Sequence, residues 1–292
     1  MNWWKEFASD IELDAPLSRL TWFKLGGNAR YLFRPRSVAE LRAMVTRASD
    51  EQLPVKVLGA GANVLISDDG FDGVVVRLDQ PAFRDVKWHN GAADAGGGVD
   101  VMPLAKECCA RGLAGLECMA GIPATVGGAV KTNAGGRFGD FGHVVREVEL
   151  LLPDGTVETW PRRRIGFGYR RTCLRDEIVL CARLEFSEQD PDSVKRTYDE
   201  CFEYKTSSQP LKQNSAGCIF KNPEGQSAGA LIDRAGLKGV GCGRAYVSDL
   251  HANFIVTHKG ATASDVLRLV DLIRERVFKL SGALLELEVE VW

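Results

Sequence analysis

Two glycine-rich stretches constrain this chain more than any other feature of its sequence. The first, Gly59-Ala60-Gly61-Ala62-Asn63, follows the short apolar run Val55-Lys56-Val57-Leu58 and leads into Val64-Leu65-Ile66. The second is Gly121-Ile122-Pro123-Ala124-Thr125-Val126-Gly127-Gly128, with Asn133-Ala134-Gly135-Gly136 just beyond it. Glycine adopts positive φ and permits close backbone approach, so successive amides in such a loop can form a concave anion site. The first loop opens no helix and has only G-x-G spacing. It is therefore not the Rossmann fingerprint, which needs G-x-G-x-x-G ahead of a helix. By itself it reads as a tight turn or as a phosphate cradle. The second loop adds a rigid Ile-Pro bend and a threonine hydroxyl. Two such loops in one chain suggest a pyrophosphate gripped from two sides.

The pattern around them is that of a mixed α+β protein. Ser37 and Glu40 form a capping box ahead of Leu41, Met44, Val45 and Ala48 at helical spacing. Asn90-Gly91 and Pro153-Asp154-Gly155 mark hairpins, and Asp100 is expected to cap a helix through Ala110. A strand is expected over 178–186, a helix over 193–205, and a linker at Thr206-Ser207-Ser208-Gln209-Pro210. Thr262 and Asp265 form another capping box before Val266, Leu269, Val270, Ile273 and Val277. The last residues alternate, Leu285, Leu287, Val289 and Val291 against Glu286, Glu288 and Glu290, which predicts a half-buried strand. There is no internal repeat.

Charge and cysteine content narrow the function. With 37 basic and 39 acidic side chains the formal net charge is -2, which argues against an electrostatic nucleic-acid binder. No apolar stretch approaches the roughly 20 residues that span a bilayer, and the N-terminus lacks the order of a signal peptide. A soluble, cytoplasmic protein is expected. The eight cysteines show no C-x-x-C and no histidine at ligand spacing, so reduced thiols that mostly fill core volume are expected, and no metal site.

Several motifs carry a resemblance. Thr21-Trp22-Phe23-Lys24-Leu25-Gly26-Gly27, then L-G-A-G-A-N-V-L-I, then G-L-E-C-M-A-G-I-P-A-T-V-G-G-A-V with N-A-G, resemble the UDP-N-acetylenolpyruvoylglucosamine reductase (MurB) family. Phe167-Gly168-Tyr169-Arg170, N-S-A-G-C-I-F-K-N-P, A-G-A-L-I-D-R-A-G-L-K-G, H-A-N-F-I-V and the terminal L-E-L-E-V follow in the family's order, so the resemblance covers residues 18–291. It implies FAD held in a vanillyl-alcohol-oxidase-type (PCMH-type) fold of two subdomains, 1–78 and 79–204, with a substrate-binding domain over 205–282. The terminal strand 283–292 is expected to return to the first subdomain. It further implies reduction of the flavin by NADPH and hydride transfer from flavin N5 to the vinyl carbon of a UDP-sugar enolpyruvyl ether. A peptidoglycan precursor results, with no protein partner, membrane or nucleic acid involved. The chain's shortness suggests the family's type II branch. Rival readings are a flavin oxidase of the same fold and a non-catalytic nucleotide-binding module.

The resemblance also implies residue roles. Gly59, Ala60, Gly61, Ala62, Asn63, Leu65, Gly121, Ile122, Pro123, Thr125, Gly127, Gly128 and Asn133 are expected on the cofactor. Arg170 lies in a basic run that composition alone reads as a solvated face, but its guanidinium suits a developing enolate. Tyr169 is expected to bind the substrate and to help position Arg170. Glu288 falls on a face that periodicity reads as wet, and the resemblance makes it catalytic. Glu290 stands where the family commonly has Arg. Cys218 replaces the serine that commonly donates the proton, and a thiol with an ordinary pKa near 8.5 is a sensible acid. Lys221 and Asn222 are expected on the substrate's pyrophosphate.

Overall fold

The computed structural model describes residues 3–292. Its helices form where apolar residues recur at helical spacing and stop where caps or prolines end them. Helix α1, Val38–Asp50, starts at Ser37, whose side chain accepts from Glu40 N, and buries Leu41, Met44, Val45 and Ala48. In α2, Val101–Ala110, Asp100 is the N-cap residue but makes no side-chain cap bond. Its carboxylate turns instead to Arg84, at 2.6 Å. Helix α3, Val126–Thr132, begins inside the second glycine loop, with Thr125 Oγ1 accepting from Gly128 N. Helix α4 is a single turn, Arg162–Ile165. Helix α5, Pro191–Ser208, absorbs the first three residues of the expected linker. Nothing before Pro210 removes a donor, and the residue ahead of a proline is pushed out of the helical region. Helix α6, Ala228–Arg234, and α7, Ala263–Ser281, follow, the latter with the full Thr262/Asp265 capping box and with Gly282 at φ +70° past its end.

The chain divides into two compact units. One comprises residues up to Ala15, Arg30–Ala60 and Asp72–Tyr204. It contains an antiparallel sheet ordered Val157–Pro161, Val145–Leu151, Ile178–Glu185, Ala92–Gly96, Val86–His89. Both expected hairpins are in that sheet, with Asn90-Gly91 joining His89 to its partner Ala92. Val148, Leu150, Ala182 and Leu184 pack there with Leu104 and Cys108 of α2 and Ala129 and Val130 of α3. A mixed sheet ordered Ile11–Pro16, Asn28–Phe33, Phe71–Val76, Val55–Val57 buries Phe33, Val74 and Val76 against α1.

The other unit comprises Pro16–Ala29, Gly61–Phe71 and Lys205–Trp292. Its antiparallel sheet of Gly241–Cys242, Ala245–Val247 and Ile255–Thr257 packs with α6 and α7 around Leu231, Val247, Ile255, Leu269 and Ile273. The alternating C-terminus is extended, yet only Glu290–Val291 pairs as a strand, parallel to Val64–Leu65. It switches partners midway: Glu288 N donates to Ile219 O, whereas Glu290 N donates to Asn63 O. Leu285 and Val289 are buried as the alternation predicts, but Val291 is 42% exposed.

Candidate active site

Within the first unit the two glycine loops meet. Gly59, Ala60, Thr125, Gly127 and Gly128 line one cleft together with Gly97 and Gly98. A Cβ on Gly59 would fall 2.6 Å from Thr125 Oγ1, and one on Gly98 would fall 1.7 Å from Leu78 O. Only bare backbone fits there. The wall also carries three cations, Arg77, Arg84 and Lys131, beside the carboxylates of Asp79, Asp100 and Glu177. Arg77 donates to Gly59 O at 2.7 Å and lies 3.5 Å from Asp79. Burial pushes its pKa down, and the Asp79 charge opposes that shift. Oδ1 of Asp79, another lining residue, is buried without a hydrogen-bond partner. Bare amides and three cations suit a pyrophosphate, and an unsatisfied carboxylate oxygen suits a hydroxyl donor; FAD carries both. The residues present therefore fit that cofactor. Gly121, Ile122, Pro123 and Asn133 are not among the residues lining the cleft.

Sequence reasoning missed the three cations. Lys131 follows directly on the G-G-A-V motif and could have been included. Arg77 and Arg84 have no local signal, because only the fold brings them to the glycines.

Arg170 sits on a tight turn of the same unit. Gly168 and Arg171 exchange hydrogen bonds, at 2.9 and 3.2 Å, leaving Tyr169 and Arg170 at the tip. Arg170 takes φ +51°, a left-handed conformation costly for a residue with a Cβ. One guanidinium nitrogen donates to Gly135 O at 2.6 Å, and its Cζ lies 5.2 Å from the centre of the Tyr169 ring. Strain held at a charged, tethered side chain is characteristic of functional sites.

In the second unit the remaining candidates gather around one backbone ladder. Cys218 bridges to Phe254, Ile219 N donates to Asn253 O, and Glu288 N donates to Ile219 O at 2.8 Å. Cys218 and Glu288 thus lie on adjacent extended segments, Cys218 half-buried. Asn63, from the first glycine loop, donates to Glu288 O at 3.1 Å. Leu65 is buried at 1% exposure, and Gly61, at φ +68°, accepts from Trp22 N. Lys221 pairs with Glu286 at 2.5 Å, and Asn222 Oδ1 accepts from Ala228 N at the start of α6. Asn253, not anticipated from sequence, bonds both the N–H and the carbonyl of Phe220 and so fixes the segment carrying Cys218. None of the eight cysteines is disulfide-bonded; four are buried, and burial pushes Cys108 up to about 12. Among the described residues no group of three or more His, Cys, Asp or Glu is placed to hold a metal.

Comparison with known proteins decides the family. Residues 29–160 match an FAD-binding domain family, and 209–292 match the C-terminal domain of UDP-N-acetylenolpyruvoylglucosamine reductase. That reductase from Syntrophotalea carbinolica is 41% identical over 285 residues, covering 97% of this chain and 94% of its own. The one from Heliobacterium modesticaldum is 39% identical, with 98% and 92% covered. The chain belongs to the UDP-N-acetylenolpyruvoylglucosamine reductase family. The crystal structure of that reductase from Thermus caldophilus is similar to it at a TM-score of 0.83 and 40% identity, over 97% of this chain and 98% of the other. Cholesterol oxidase from B. sterolicum, 16% identical with a TM-score of 0.50 over 61% of this chain and 37% of its own, shares the fold alone. The expected α+β architecture with an FAD-binding fold is borne out, and the FAD-binding match spans both glycine loops and the cations beside them.

Proposed function

We propose that the chain reduces UDP-N-acetylglucosamine enolpyruvate to UDP-N-acetylmuramate, using Arg170, Cys218 and Glu288. This is an NADPH-dependent flavoenzyme step of peptidoglycan-precursor synthesis. The observation that carries the residue assignment is the Glu288–Ile219 backbone bond, which sets a protic side chain and a carboxylate on adjacent segments. The chemistry FAD supplies when bound is hydride transfer, from NADPH to the terminal vinyl carbon of the enolpyruvyl ether. The Arg170 guanidinium, always charged, stabilises the negative charge that this addition drives into the substrate carboxylate. Cys218 donates the proton to the carbon bearing that carboxylate, completing addition of hydride and proton across the double bond. A thiol is among the side chains that can deliver a proton to carbon as a general acid. Glu288 complements the charge of the reacting groups from the neighbouring segment. Arg77, Arg84 and Lys131 offset the cofactor's pyrophosphate charge, while Lys221 and Asn222 hold that of the substrate.

Among the described residues no helix is long and apolar enough to cross a membrane. Because NADPH and the UDP-sugar are soluble cytoplasmic metabolites, the reading places the enzyme in that compartment, acting without a protein partner. The deciding experiment is anaerobic. NADPH should bleach the bound flavin, and the enolpyruvyl substrate should restore its colour. Failure of both steps in flavin-loaded protein would sink the reading, and substrate-independent oxygen uptake would favour the oxidase.

A further inference from the structure

Asn133 is buried at 2% exposure and takes φ +46° as the C-cap of α3. Its amide is engaged at both ends. Nδ2 donates to Gly168 O at 2.9 Å, and Oδ1 accepts from Gly142 N at 3.0 Å. One partner can only accept and the other can only donate, so the amide orientation is fixed without ambiguity. Gly168 is the first residue of the turn that presents Arg170. The end of α3 grips that turn at further points: Arg170 donates to Gly135 O, Thr172 Oγ1 to Lys131 O at 2.8 Å, and Lys131 Nζ to Arg175 O at 2.6 Å. The other end of the same seven-residue helix, at Gly127 and Gly128, lines the glycine cleft.

We infer that Asn133 is a positioning residue that holds the Arg170 turn in its left-handed geometry, acting through Gly168. This rests on the enolate-stabilising role proposed for Arg170. The turn needs such a hold because Arg170 sits in a region that L-residues avoid, and neighbours must over-determine it. The Gly168 carbonyl is the point of control. It closes the turn by accepting from Arg171 N at 3.2 Å, and Asn133 fixes the direction in which it faces. Loosening that carbonyl lets the tip relax toward ordinary φ and swings the guanidinium away from its bond to Gly135. The inference gives the asparagine of the N-A-G motif a task apart from cofactor contact.

Two substitutions separate the amide from the backbone. Asn133→Gly keeps left-handed φ accessible but removes both amide bonds. Asn133→Asp keeps the acceptor for Gly142 N and turns the donor facing Gly168 O into a repelling oxygen. Both variants should retain flavin stoichiometry and reduction by NADPH within about twofold of wild type. Substrate-driven reoxidation should slow by roughly 10²-fold, the cost of a misplacement of about 1 Å, with the loss in kcat rather than in KM. In an Arg170→Ala background, adding Asn133→Gly should change reoxidation by less than about twofold, because its effect runs through Arg170. Three outcomes overturn the inference: reoxidation in either variant within twofold of wild type, a loss shared by the NADPH half-reaction, or losses that multiply with Arg170→Ala. The double variant also guards against misreading a merely structural effect, which would multiply. Wild-type protein that is reduced by NADPH but never reoxidised by substrate would instead remove the proposed function itself.

Discussion

The Arg170 turn and the Cys218 segment present their functional side chains by opposite means. Arg170 stands at a strained φ of +51°, tethered by its own side chain and by contacts from α3. Cys218 lies in extended backbone held by main-chain bonds of its neighbours and by Asn253. The first arrangement places a charge accurately but depends on side chains that mutation can remove. The second rests on main-chain bonds of neighbouring residues and on Asn253, which a substitution at Cys218 leaves in place. Substitutions at the two positions should therefore differ in stability even where they agree in activity.

The largest effect expected is at Arg170. Arg170→Ala should lower the rate of substrate-driven flavin reoxidation by about 10³-fold and leave flavin reduction by NADPH nearly unchanged, as measured by stopped-flow absorbance. Arg170→Gly should be equally slow but more stable than Arg170→Ala by about 1 kcal/mol, since glycine adopts the left-handed conformation without penalty. Equal stability of the two in urea unfolding would show that the turn carries no strain, and the contrast with Cys218 would lose its basis.

Next comes Cys218. Cys218→Ala should slow product formation by about 10²-fold, and Cys218→Ser should recover much of the rate. Both should match wild type in thermal unfolding within about 0.5 kcal/mol, as expected where the backbone supplies the support. Peroxide should inactivate the native enzyme and spare the serine variant, because only the thiolate is readily oxidised. Full activity in Cys218→Ala would reduce Cys218 to packing.

The glycine loops sharpen the comparison from the cofactor's side. A Cβ at Gly61 would lie 2.1 Å from Leu20 O, so Gly61→Val should unfold the protein rather than report on FAD. At Gly128 the nearest neighbour of a Cβ is Thr125 Oγ1 at 3.4 Å, an ordinary contact. Gly128→Ala should thus keep the fold, gain a few tenths of a kcal/mol of helix stability, and weaken FAD binding about tenfold by intruding on the cleft. Equilibrium dialysis of flavin checks it.

These contrasts also show what the sequence could convey. Caps, periodicities and hairpin turns were legible because each is a local signal: Ser37, Thr262 and Asn90-Gly91 act within a few residues of themselves. The meeting of Gly59 with Thr125 was suggested only by two loops of like chemistry, and the family resemblance reinforced it. Arg77 reaches Gly59 across 18 positions, and Asn253 reaches Phe220 across 33, by packing that no periodicity encodes. The C-terminal alternation correctly announced extended chain but could not announce two successive partners. The linker expected at 206–210 lies just past the break between the two units at Tyr204 and Lys205, yet it is helical through Ser208 for a local reason: its serines and threonine weaken a helix without ending one, and only Pro210 does that.

The smallest effect expected lies in the core, at a residue outside every proposed role. The Tyr198 hydroxyl, on α5, is buried with no hydrogen-bond partner, beside the α2 cysteines in the same cluster. Burying an unpaired hydroxyl costs about 1–3 kcal/mol, so Tyr198→Phe should stabilise the protein by about 1 kcal/mol and raise its Tm by about 2–4 °C. Burial pushes the Tyr198 pKa up, with the Cys109 and Asp199 charges adding to it. The sign of the pH dependence follows. Above about pH 10 the unfolded chain releases this proton while the folded chain keeps it, so wild-type stability falls as pH rises. Phenylalanine has no proton to lose there. The stability gap between Tyr198→Phe and wild type should accordingly widen between pH 9 and 11 in urea titrations, by no more than about 1.4 kcal/mol per pH unit. Cys108 and Cys109, pushed up to about 12 and about 11, weaken both proteins equally over that range and cancel in the difference. A gap that stays constant with pH would mean that the hydroxyl reaches water in the folded state.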